Sequence, residues 1–280
     1  MKILIIGSKG MLGQALVKVF SAGNEVLAWD REEIDITEAQ SSNIKIQNLR
    51  PDLVINAAAY NNVDGAETER ELAQKINGYA VGYLSKTCKG LDIPLVHYST
   101  DYVFDGTNRK GYKESDFPNP VSAYGESKFL GERELQKNTD KFYLIRLSRL
   151  FGKEAYIASA KKSFVNLMLD LAKNHAELEA VDEEISCPTH AVDVAERTRY
   201  IAESKPEFGI YHAANVGSAT WFEFAAEIFK IKQIDVKLKP VPASRFPRPA
   251  MRPQHSVLLN TKLPPMRSWK EALKEFLISN

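Results

Sequence analysis

Near the start of the chain, Ile3-Leu4-Ile5-Ile6 is followed by Gly7-Ser8-Lys9-Gly10-Met11-Leu12-Gly13, and this stretch decides the fold. The four apolar residues predict a buried strand, and the residues from Met11 onward have helical periodicity. Three glycines at the Gly-x-x-Gly-x-x-Gly spacing permit a tight turn and the close approach of a pyrophosphate to the backbone. The free N–H groups at the start of the helix favour such an anion. A purely structural turn is the alternative, but the flanking strand and helix favour a dinucleotide site.

Similar apolar runs recur through the first half of the chain and alternate with segments of helical periodicity. These runs lack alternating polar residues, which is typical of strands that are covered on both faces. The pattern predicts an α/β fold with a doubly wound parallel sheet of the Rossmann type. The predicted strands are Ile3–Ile6, Val26–Trp29, Leu53–Ala57, Leu95–Tyr98 and Tyr143–Leu147, and the predicted helices are Met11–Ser21, Ile44–Leu49, Glu69–Gly90 and Ala123–Gln136.

After about residue 149 the pattern changes to a smaller and more irregular part. Prolines are frequent from Pro240 to Pro265 and argue against long regular elements in the last sixty residues. We therefore expect a dinucleotide-binding domain of residues 1–148 plus about 178–217, and a smaller substrate domain of about 149–177 plus 218–280. The predicted segments here are a polar stretch at Lys153–Lys162, helices at Ser163–Lys173, Val192–Ala202 and Trp221–Phe229, and strands at Leu178–Val181 and Ile210–Ala213.

The composition excludes several classes of protein. Among 280 residues, 37 Lys and Arg against 36 Asp and Glu give a net charge of +1, without the basic excess of a nucleic-acid-binding protein. No apolar run approaches the roughly 18 residues of a membrane span, and the N-terminal run is too short for a signal peptide. Cys88 and Cys187 lack metal-ligand spacing, so we expect packed thiols. The sequence thus predicts a cytoplasmic protein that binds neither nucleic acid nor membrane.

Tyr124 and Lys128 lie four residues apart, so they share one face of the predicted helix. A nearby ammonium group would lower the pKa of the Tyr124 phenol and prepare it for proton transfer to a carbonyl oxygen. Such a pair is common on helices by chance, but Thr100 follows the strand Leu95–Tyr98, at the sheet edge where ligands bind. A capping role for Thr100 or Asp101 is the alternative.

Asp30 ends the second predicted strand and bears on the choice of cofactor. A carboxylate there can accept hydrogen bonds from the adenosine ribose, which favours NADH over NADPH. The neighbouring Arg31 could instead pair with a 2′-phosphate. A solvated Asp-Arg pair is a third interpretation, so the choice stays open with NADH favoured.

The glycine loop, Thr100, Tyr124 and Lys128 together resemble the extended short-chain dehydrogenase/reductase superfamily. Finer motifs are similar to one branch, the dTDP-4-dehydrorhamnose reductases, and the similarity extends from Met1 to about Leu277. The motif most specific to this branch is Ser99-Thr100-Asp101-Tyr102-Val103-Phe104-Asp105-Gly106. The other matching segments are Asn56–Tyr60, Val63–Glu67, Tyr124–Glu132, Gly209–His212 and Pro249–Pro253.

This resemblance implies hydride transfer from a nicotinamide cofactor to C4 of a dTDP-bound 4-keto-6-deoxy sugar. Tyr124 would protonate the developing alkoxide, Lys128 would bind the nicotinamide ribose, and Thr100 would hold the substrate O4. The predicted substrate residues are Thr100, Asp101, Tyr124, Arg149 and Arg252. The predicted cofactor residues are Gly7, Gly10, Met11, Leu12, Gly13, Asp30, Asp35, Ile36, Ala57, Ala59, Tyr60, Asn61, Tyr98, Tyr124 and Lys128.

Some residues depart from the pattern of this branch. Arg149 stands where the branch commonly has a tryptophan near the sugar, and Asn61 replaces a small hydroxyl residue. An arginine facing the pocket would favour the diphosphate, and an outward-facing side chain is the alternative. The three arginines in Ser244–Pro253 also suit a diphosphate, unless they form a solvated loop. Glu126 and Glu132, on the helix of Tyr124, are expected to face solvent.

Two other functions compete with that of a reductase. One is a nucleotide-sugar epimerase or 4,6-dehydratase, although Tyr102 directly after Asp101 argues against the acid pair of a dehydratase. The other is a regulatory protein, since the regulatory subunit of methionine adenosyltransferase resembles the same family. A homodimer, and a divalent metal at a subunit contact, stay open.

Overall fold

The protein is represented by a computed structural model in which residues 1–156 and 162–279 are described; residues 157–161, within the predicted polar stretch, and residue 280 lie outside the described residues. A six-stranded parallel sheet has the order β2-β1-β3-β4-β5-β9. The strands are β1 Lys2–Ile6, β2 Glu25–Trp29, β3 Leu53–Asn56, β4 Leu95–Thr100, β5 Phe142–Leu147, β6 Leu150–Phe151, β7 Glu177–Val181, β8 Thr189–His190, β9 Gly209–His212 and β10 Lys237–Val241. The helices are α1 Met11–Phe20, α2 Ala39–Leu49, α3 Arg70–Gln74, α4 Ala80–Leu91, α5 Ala123–Asn138, α6 Phe164–Ala172, α7 Ala191–Ser204, α8 Trp221–Lys232 and α9 Trp269–Ser279.

Apolar residues on both faces of the central strands explain why helices cover the sheet on both sides. In β1, Ile3 and Ile5 pack into the core formed with α1 and α7, whereas Leu4 and Ile6 pack into the core formed with α2, α4 and α5. Successive side chains of a strand point to opposite faces, so a continuous apolar run supplies both cores. The predicted doubly wound fold is confirmed.

The predicted helix Glu69–Gly90 is divided in the structure. A π-helical turn, Lys75–Tyr79, separates α3 from α4 and places the side chain of Asn77 in the interior. A π-helical turn contains one residue more than an α-helical turn. Because apolar residues continue through it, the periodicity of the sequence does not reveal that additional residue. The turn matters for the site because Asn77 contacts both the loop after β3 and α5.

The smaller part has its own apolar core, built mainly from α6, α8, α9 and β7. The assignment of residues from 178 onward to the dinucleotide-binding domain is wrong for β7, because β7 pairs with β10 and its apolar residues pack against α8. The expectation of an irregular C-terminus is also wrong for α9, which begins after the last proline, Pro265, where nothing prevents a helix. The division into two domains is otherwise a prediction.

Parallel strands bring the site residues to one edge of the sheet. The strand order 2-1-3 means that the chain leaves β1 toward one side of the sheet and β3 toward the other, and in such folds ligands bind at this switch point. Thr100 ends β4 at the same edge. Within the described ranges, no helix is long and apolar enough to cross a membrane.

Candidate active site

The glycine loop after β1 is packed too closely for side chains at two of its three glycines. Gly7 has φ 81°, and a Cβ there would lie 2.6 Å from the amide nitrogen of Ala58. A Cβ on Gly13 would lie 2.0 Å from the carbonyl oxygen of Gly7. At Gly10 the nearest atom would be 3.3 Å away, so this position is more open. No side chain caps the start of α1, and its first turn carries no acidic residue, which fits an anionic pyrophosphate.

Asp30 holds the glycine loop in place from the end of β2. Its Oδ2 accepts a hydrogen bond of 2.9 Å from the backbone N–H of Lys9, and its Oδ1 accepts one of 2.9 Å from the backbone N–H of Arg31. Each carboxylate oxygen has a second lone pair, so Asp30 can still accept a ribose hydroxyl. The Arg31 side chain is 87% exposed and is thus accessible to a phosphate.

The other predicted cofactor residues lie at the start of α1, in the segment after β2, in the loop after β3 and on β4. Met11 and Leu12 start α1, while Ile36 is buried and Asp35 accepts hydrogen bonds from Thr37. Ala57, Ala59, Tyr60 and Asn61 lie in the loop after β3, with Asn61 exposed. Tyr98 is a buried residue of β4 whose hydroxyl hydrogen-bonds Thr198. The structure therefore brings these residues to one edge of the sheet, although their contact with a cofactor is still a prediction.

Asn77 connects this loop to α5, and the sequence analysis missed it. Its Oδ1 accepts a 2.8 Å hydrogen bond from the backbone N–H of Tyr60, and its Nδ2 donates to the Tyr60 carbonyl at 3.0 Å and to Ser127 Oγ at 3.0 Å. Ser127 in turn donates to the carbonyl of Tyr124. An asparagine on the apolar face of a predicted helix was the available signal, because a buried amide needs partners.

Tyr124 and Lys128 are both buried on α5, as the shared helix face predicts. The helix begins at Ala123, where the Ser122 side chain caps it by accepting the N–H of Gly125. A Cβ at Gly125 would lie 2.3 Å from the Tyr102 carbonyl oxygen, so glycine allows the helix to approach this segment closely. Lys128 Nζ donates a 2.6 Å hydrogen bond to the carbonyl of Tyr98. Helix and sheet thus hold the ammonium group at the end of β4.

The pKa of Tyr124 shifts in the direction opposite to the prediction. Burial and the charge of Asp101 raise the pKa of the phenol above its usual range, and only a hydrogen bond with Thr100 opposes them appreciably. Burial also lowers the pKa of Lys128 to about 8, against the charge of Glu132. The predicted lowering of the Tyr124 pKa by Lys128 is not found, because burial and Asp101 determine the direction of the shift and the ammonium group donates to the carbonyl of Tyr98 instead. Tyr124 therefore stays protonated at neutral pH, as a proton donor must.

Asp101 organises the segment that follows β4. Its carboxylate accepts hydrogen bonds from Thr100 Oγ1 at 3.1 Å, Ser148 Oγ at 2.9 Å and Ser256 Oγ at 2.5 Å. Thr100 Oγ1 also accepts the N–H of Tyr102, which is the capping role considered as an alternative. Asp101 is only 2% exposed. It therefore joins the ends of β4 and β5 to the C-terminal segment and orients the hydroxyl of Thr100.

Glu132 is buried, so the expectation that it faces solvent was wrong. Its carboxylate forms a bidentate ion pair with Arg146 on β5, with distances of 2.9 and 2.7 Å, and the two side chains are 0% and 1% exposed. The sequence hides this pair because its partners are separated along the chain. Glu126 is half-exposed and pairs with Arg70. The buried pair attaches the helix of Tyr124 and Lys128 to the sheet.

Arg149 packs against the smaller part of the molecule. Its guanidinium lies 3.9 Å from the centre of the Trp221 ring, and its terminal nitrogens donate to the carbonyls of Ala219 and Glu184 at 2.7 and 2.9 Å. Its backbone has φ 39°, a left-handed conformation rarely adopted by residues other than glycine. Each terminal nitrogen thus donates one hydrogen bond within the protein, whereas the buried Nε has no hydrogen-bond partner among the described residues. That Arg149 contacts substrate is still a prediction.

The three C-terminal arginines are paired with carboxylates. Arg245 pairs with Glu179, Arg248 with Glu184, and Arg252 with Asp64. Arg245 is well exposed, whereas the Arg252 side chain is only 10% exposed. The alternative of a fully solvated arginine loop therefore does not describe Arg252. A contact of Arg252 with substrate is still a prediction.

Comparison with known proteins identifies the family. The model of the protein family described as "RmlD substrate binding domain" matches residues 1–279. The chain belongs to this family. It is 35% identical to a dTDP-4-dehydrorhamnose reductase of Burkholderia thailandensis over 279 residues, covering 94% of this chain and 92% of that protein. The resemblance to this branch is confirmed.

Two solved structures share the whole fold of this family member. A dTDP-4-dehydrorhamnose reductase from Clostridium acetobutylicum has a TM-score of 0.94 and 37% identity, covering 100% of this chain and 99% of that one. The enzyme of the same name from Bacillus anthracis, solved in complex with NADP, has a TM-score of 0.94 and 33% identity, with 100% of each chain covered.

Among the residues described in the present structure, no cluster of three His, Cys, Asp or Glu side chains could hold a metal ion.

Proposed function

We propose that this protein is an NAD(P)H-dependent oxidoreductase that reduces the C4 ketone of dTDP-4-dehydro-L-rhamnose to give dTDP-L-rhamnose. The observation that carries the proposal is the buried pair of Tyr124 and Lys128 beside Thr100, at the carboxyl end of β4. A phenol with a raised pKa keeps its proton until an alkoxide forms next to it. Membership of the RmlD substrate binding domain family, with relatives named for this reaction, supports the choice of substrate.

Each of these side chains would have a distinct role in the reaction. The glycine loop and the start of α1 would hold the pyrophosphate of the cofactor, which supplies a hydride when bound. Lys128 would hold the nicotinamide ribose, Thr100 would position the substrate O4, and Tyr124 would donate the proton to that oxygen. The single O–H of Thr100 donates to Asp101 at 3.1 Å in the structure, so it would turn from Asp101 to O4 when the substrate binds. Arg149 and Arg252 are proposed to lie near the sugar nucleotide.

Purified protein tests this proposal directly. NADH or NADPH should be consumed with dTDP-4-keto-6-deoxy-L-lyxo-hexose, and dTDP-L-rhamnose should accumulate in the same amount. Cofactor binding without turnover would favour a regulatory protein, whereas sugar conversion without net cofactor consumption would favour an epimerase or a dehydratase. The cytoplasmic location and the homodimer stay predictions.

We expect Asp30 and Arg31 to set the preference between the two cofactors. Asp30→Asn should weaken NADH more than NADPH, by about 1–3 kcal/mol, because it removes a charged acceptor for ribose and a repulsion of the 2′-phosphate. Asparagine keeps one oxygen that can accept the Lys9 N–H, so the contact with the glycine loop is preserved while the bond from the Arg31 N–H is lost. Arg31→Gln should weaken NADPH alone. Titration of both cofactors measures this, and equal losses for both in Asp30→Asn would refute the role of Asp30.

Lys128 should make cofactor use sensitive to alkaline pH. Because its pKa is lowered to about 8, the ammonium loses its proton as the pH rises through that value, and the neutral amine holds ribose oxygens less strongly. The kcat/KM for NAD(P)H, which reports the free enzyme, should therefore fall on the alkaline side. Lys128→Met should give low values without this fall. A wild-type profile that stays flat well above pH 8 would contradict the assignment.

A further inference from the structure

The motif segments Val63–Glu67 and Pro249–Pro253 meet in the structure, and the first of them has no role in the reaction so far. Arg252 donates to Asp64 through both terminal nitrogens, Nη1 to Oδ1 at 2.6 Å and Nη2 to Oδ2 at 2.8 Å. The backbone N–H of Ala250 also donates to Asp64 Oδ1, at 3.3 Å. Arg252 Nη1 closes the arrangement by donating to the Ala250 carbonyl at 2.6 Å. Asp64 therefore fixes the position of the segment Pro249–Pro253, although Asp64 and Arg252 are 188 residues apart along the chain.

The same short segment also reaches the helix of Tyr124. A single turn of 3₁₀ helix, Gly65–Glu67, follows Asp64 directly. Glu67 Oε1 accepts a 2.9 Å hydrogen bond from the backbone N–H of Ala123, the residue before Tyr124. This N–H has no acceptor within α5, because it belongs to the first turn of the helix. Glu67 thus fixes the point from which the Tyr124 side chain projects.

The turn between the two anchors is tightly packed. Ala66 is fully buried and packs in one apolar cluster with Ala123 and Tyr124. A Cβ on Gly65 would lie 2.3 Å from Asn62 Nδ2 and 2.5 Å from the Tyr60 hydroxyl, so a larger residue there would displace the ends of both side chains. Tyr102 packs edge-on against Tyr124 with ring centres 5.7 Å apart. Since Ala66 joins Asp64 to Glu67 and belongs to the same buried cluster as Ala123, a displacement of Asp64 is expected to reach Glu67 and the start of α5.

We propose that Asp64 and Glu67 are positioning residues that couple the segment Pro249–Pro253 to the proton donor Tyr124. The coupling runs from Arg252 to Asp64, through the turn Gly65–Glu67, and from Glu67 to the backbone of Ala123. A sugar nucleotide seated against the C-terminal segment thereby sets the position of the phenol. This last step rests on the proposed function, whereas the link between Arg252 and Ala123 rests on the contacts alone.

Kinetics of size-matched variants test the coupling. Glu67→Met, which removes the acceptor of the Ala123 N–H, and Asp64→Asn, which leaves one Arg252 nitrogen without its carboxylate oxygen, should each lower kcat by between about tenfold and a hundredfold, the loss expected from a misplaced catalytic group, with KM for NAD(P)H unchanged. The double variant should lose no more than the worse single variant, because both changes break one path. The matched control is Glu179→Gln, which removes the exposed ion pair of Arg245 and should leave kcat unchanged.

Several outcomes would overturn the coupling. They are a wild-type kcat in Glu67→Met, losses that multiply in the double variant, and a loss in Asp64→Asn confined to KM for the sugar nucleotide. Amide hydrogen exchange of the Ala123 N–H provides a second readout that needs no turnover. It should accelerate in Asp64→Asn as well as in Glu67→Met, and unchanged exchange in Asp64→Asn would refute the link. Absence of turnover by the wild-type protein would refute the proposed function, and the exchange experiment would still decide on the coupling.

Discussion

Replacement of Tyr124 by phenylalanine is expected to lower kcat by about 10²–10⁴-fold, while the affinity for NAD(P)H changes little. The variant loses only the hydroxyl, and with it the proton for the developing alkoxide. Burial and Asp101 keep this proton on the phenol in the wild-type protein. The hydride donor and Lys128 are unaffected, so cofactor binding should persist. Steady-state reduction of the dTDP-4-keto sugar and fluorescence titration of NAD(P)H measure the two quantities.

Tyr143→Phe is the matched control for this experiment. Tyr143 is a buried tyrosine of β5, and its hydroxyl donates to the Pro206 carbonyl, away from Thr100 and Lys128. Its removal should leave kcat unchanged. If Tyr124→Phe instead loses more than about tenfold in NAD(P)H affinity, a difference of about 1.4 kcal/mol, the phenol is a binding group and the proton comes from elsewhere.

Replacement of Glu132 by alanine is expected to lower the free energy of unfolding by about 3–5 kcal/mol. The change leaves the guanidinium of Arg146 without a carboxylate in a place where it is 1% exposed, and the desolvation of an unpaired charge is costly. Since Glu132 also attaches α5 to β5, the loss should be accompanied by lower activity at temperatures where the protein is folded. Urea denaturation followed by circular dichroism measures the change in stability.

Two controls separate the buried charge from the loss of a side chain. Glu126→Ala removes an exposed carboxylate of the same helix, and its pair with Arg70 at 3.5 Å should be worth at most about 1 kcal/mol. Replacement of both Glu132 and Arg146 by methionine should recover much of the stability, because no unpaired charge is left. A loss below about 1 kcal/mol in Glu132→Ala would mean that Arg146 finds another partner or water.

Local patterns were sufficient for the central sheet and for the main reacting groups. The apolar runs of β1 and β3 predict buried parallel strands, because strands covered on both faces must be apolar throughout. Tyr124 and Lys128 could be paired from their spacing of four residues, since a helix repeats at nearly that interval. The close packing at Gly7 and Gly13 follows from the same motif that predicts the turn.

Electrostatic properties could not be predicted in this way. The spacing of Tyr124 and Lys128 suggested a lowered pKa for the phenol, but the depth of burial and the charge of Asp101 raise it. Glu132 was expected in solvent because glutamates are seldom fully buried without a partner, and its partner Arg146 lies on another element. Burial depends on what the rest of the chain places over a residue, which no local pattern records.

By itself, the sequence determined the parallel sheet, the glycine loop, and the placing of Thr100, Tyr124 and Lys128 at one edge, because each depends on a periodicity or spacing within one element or one strand–helix unit. Only the tertiary structure decided which carboxylates hydrogen-bond or pair with the residues around this edge. Asp101 meets Ser148 and Ser256, and Asp64 meets Arg252, only because distant segments converge at the edge of the sheet. Such contacts join residues far apart in the chain, and hydrogen bonding and charge act through space rather than along the sequence.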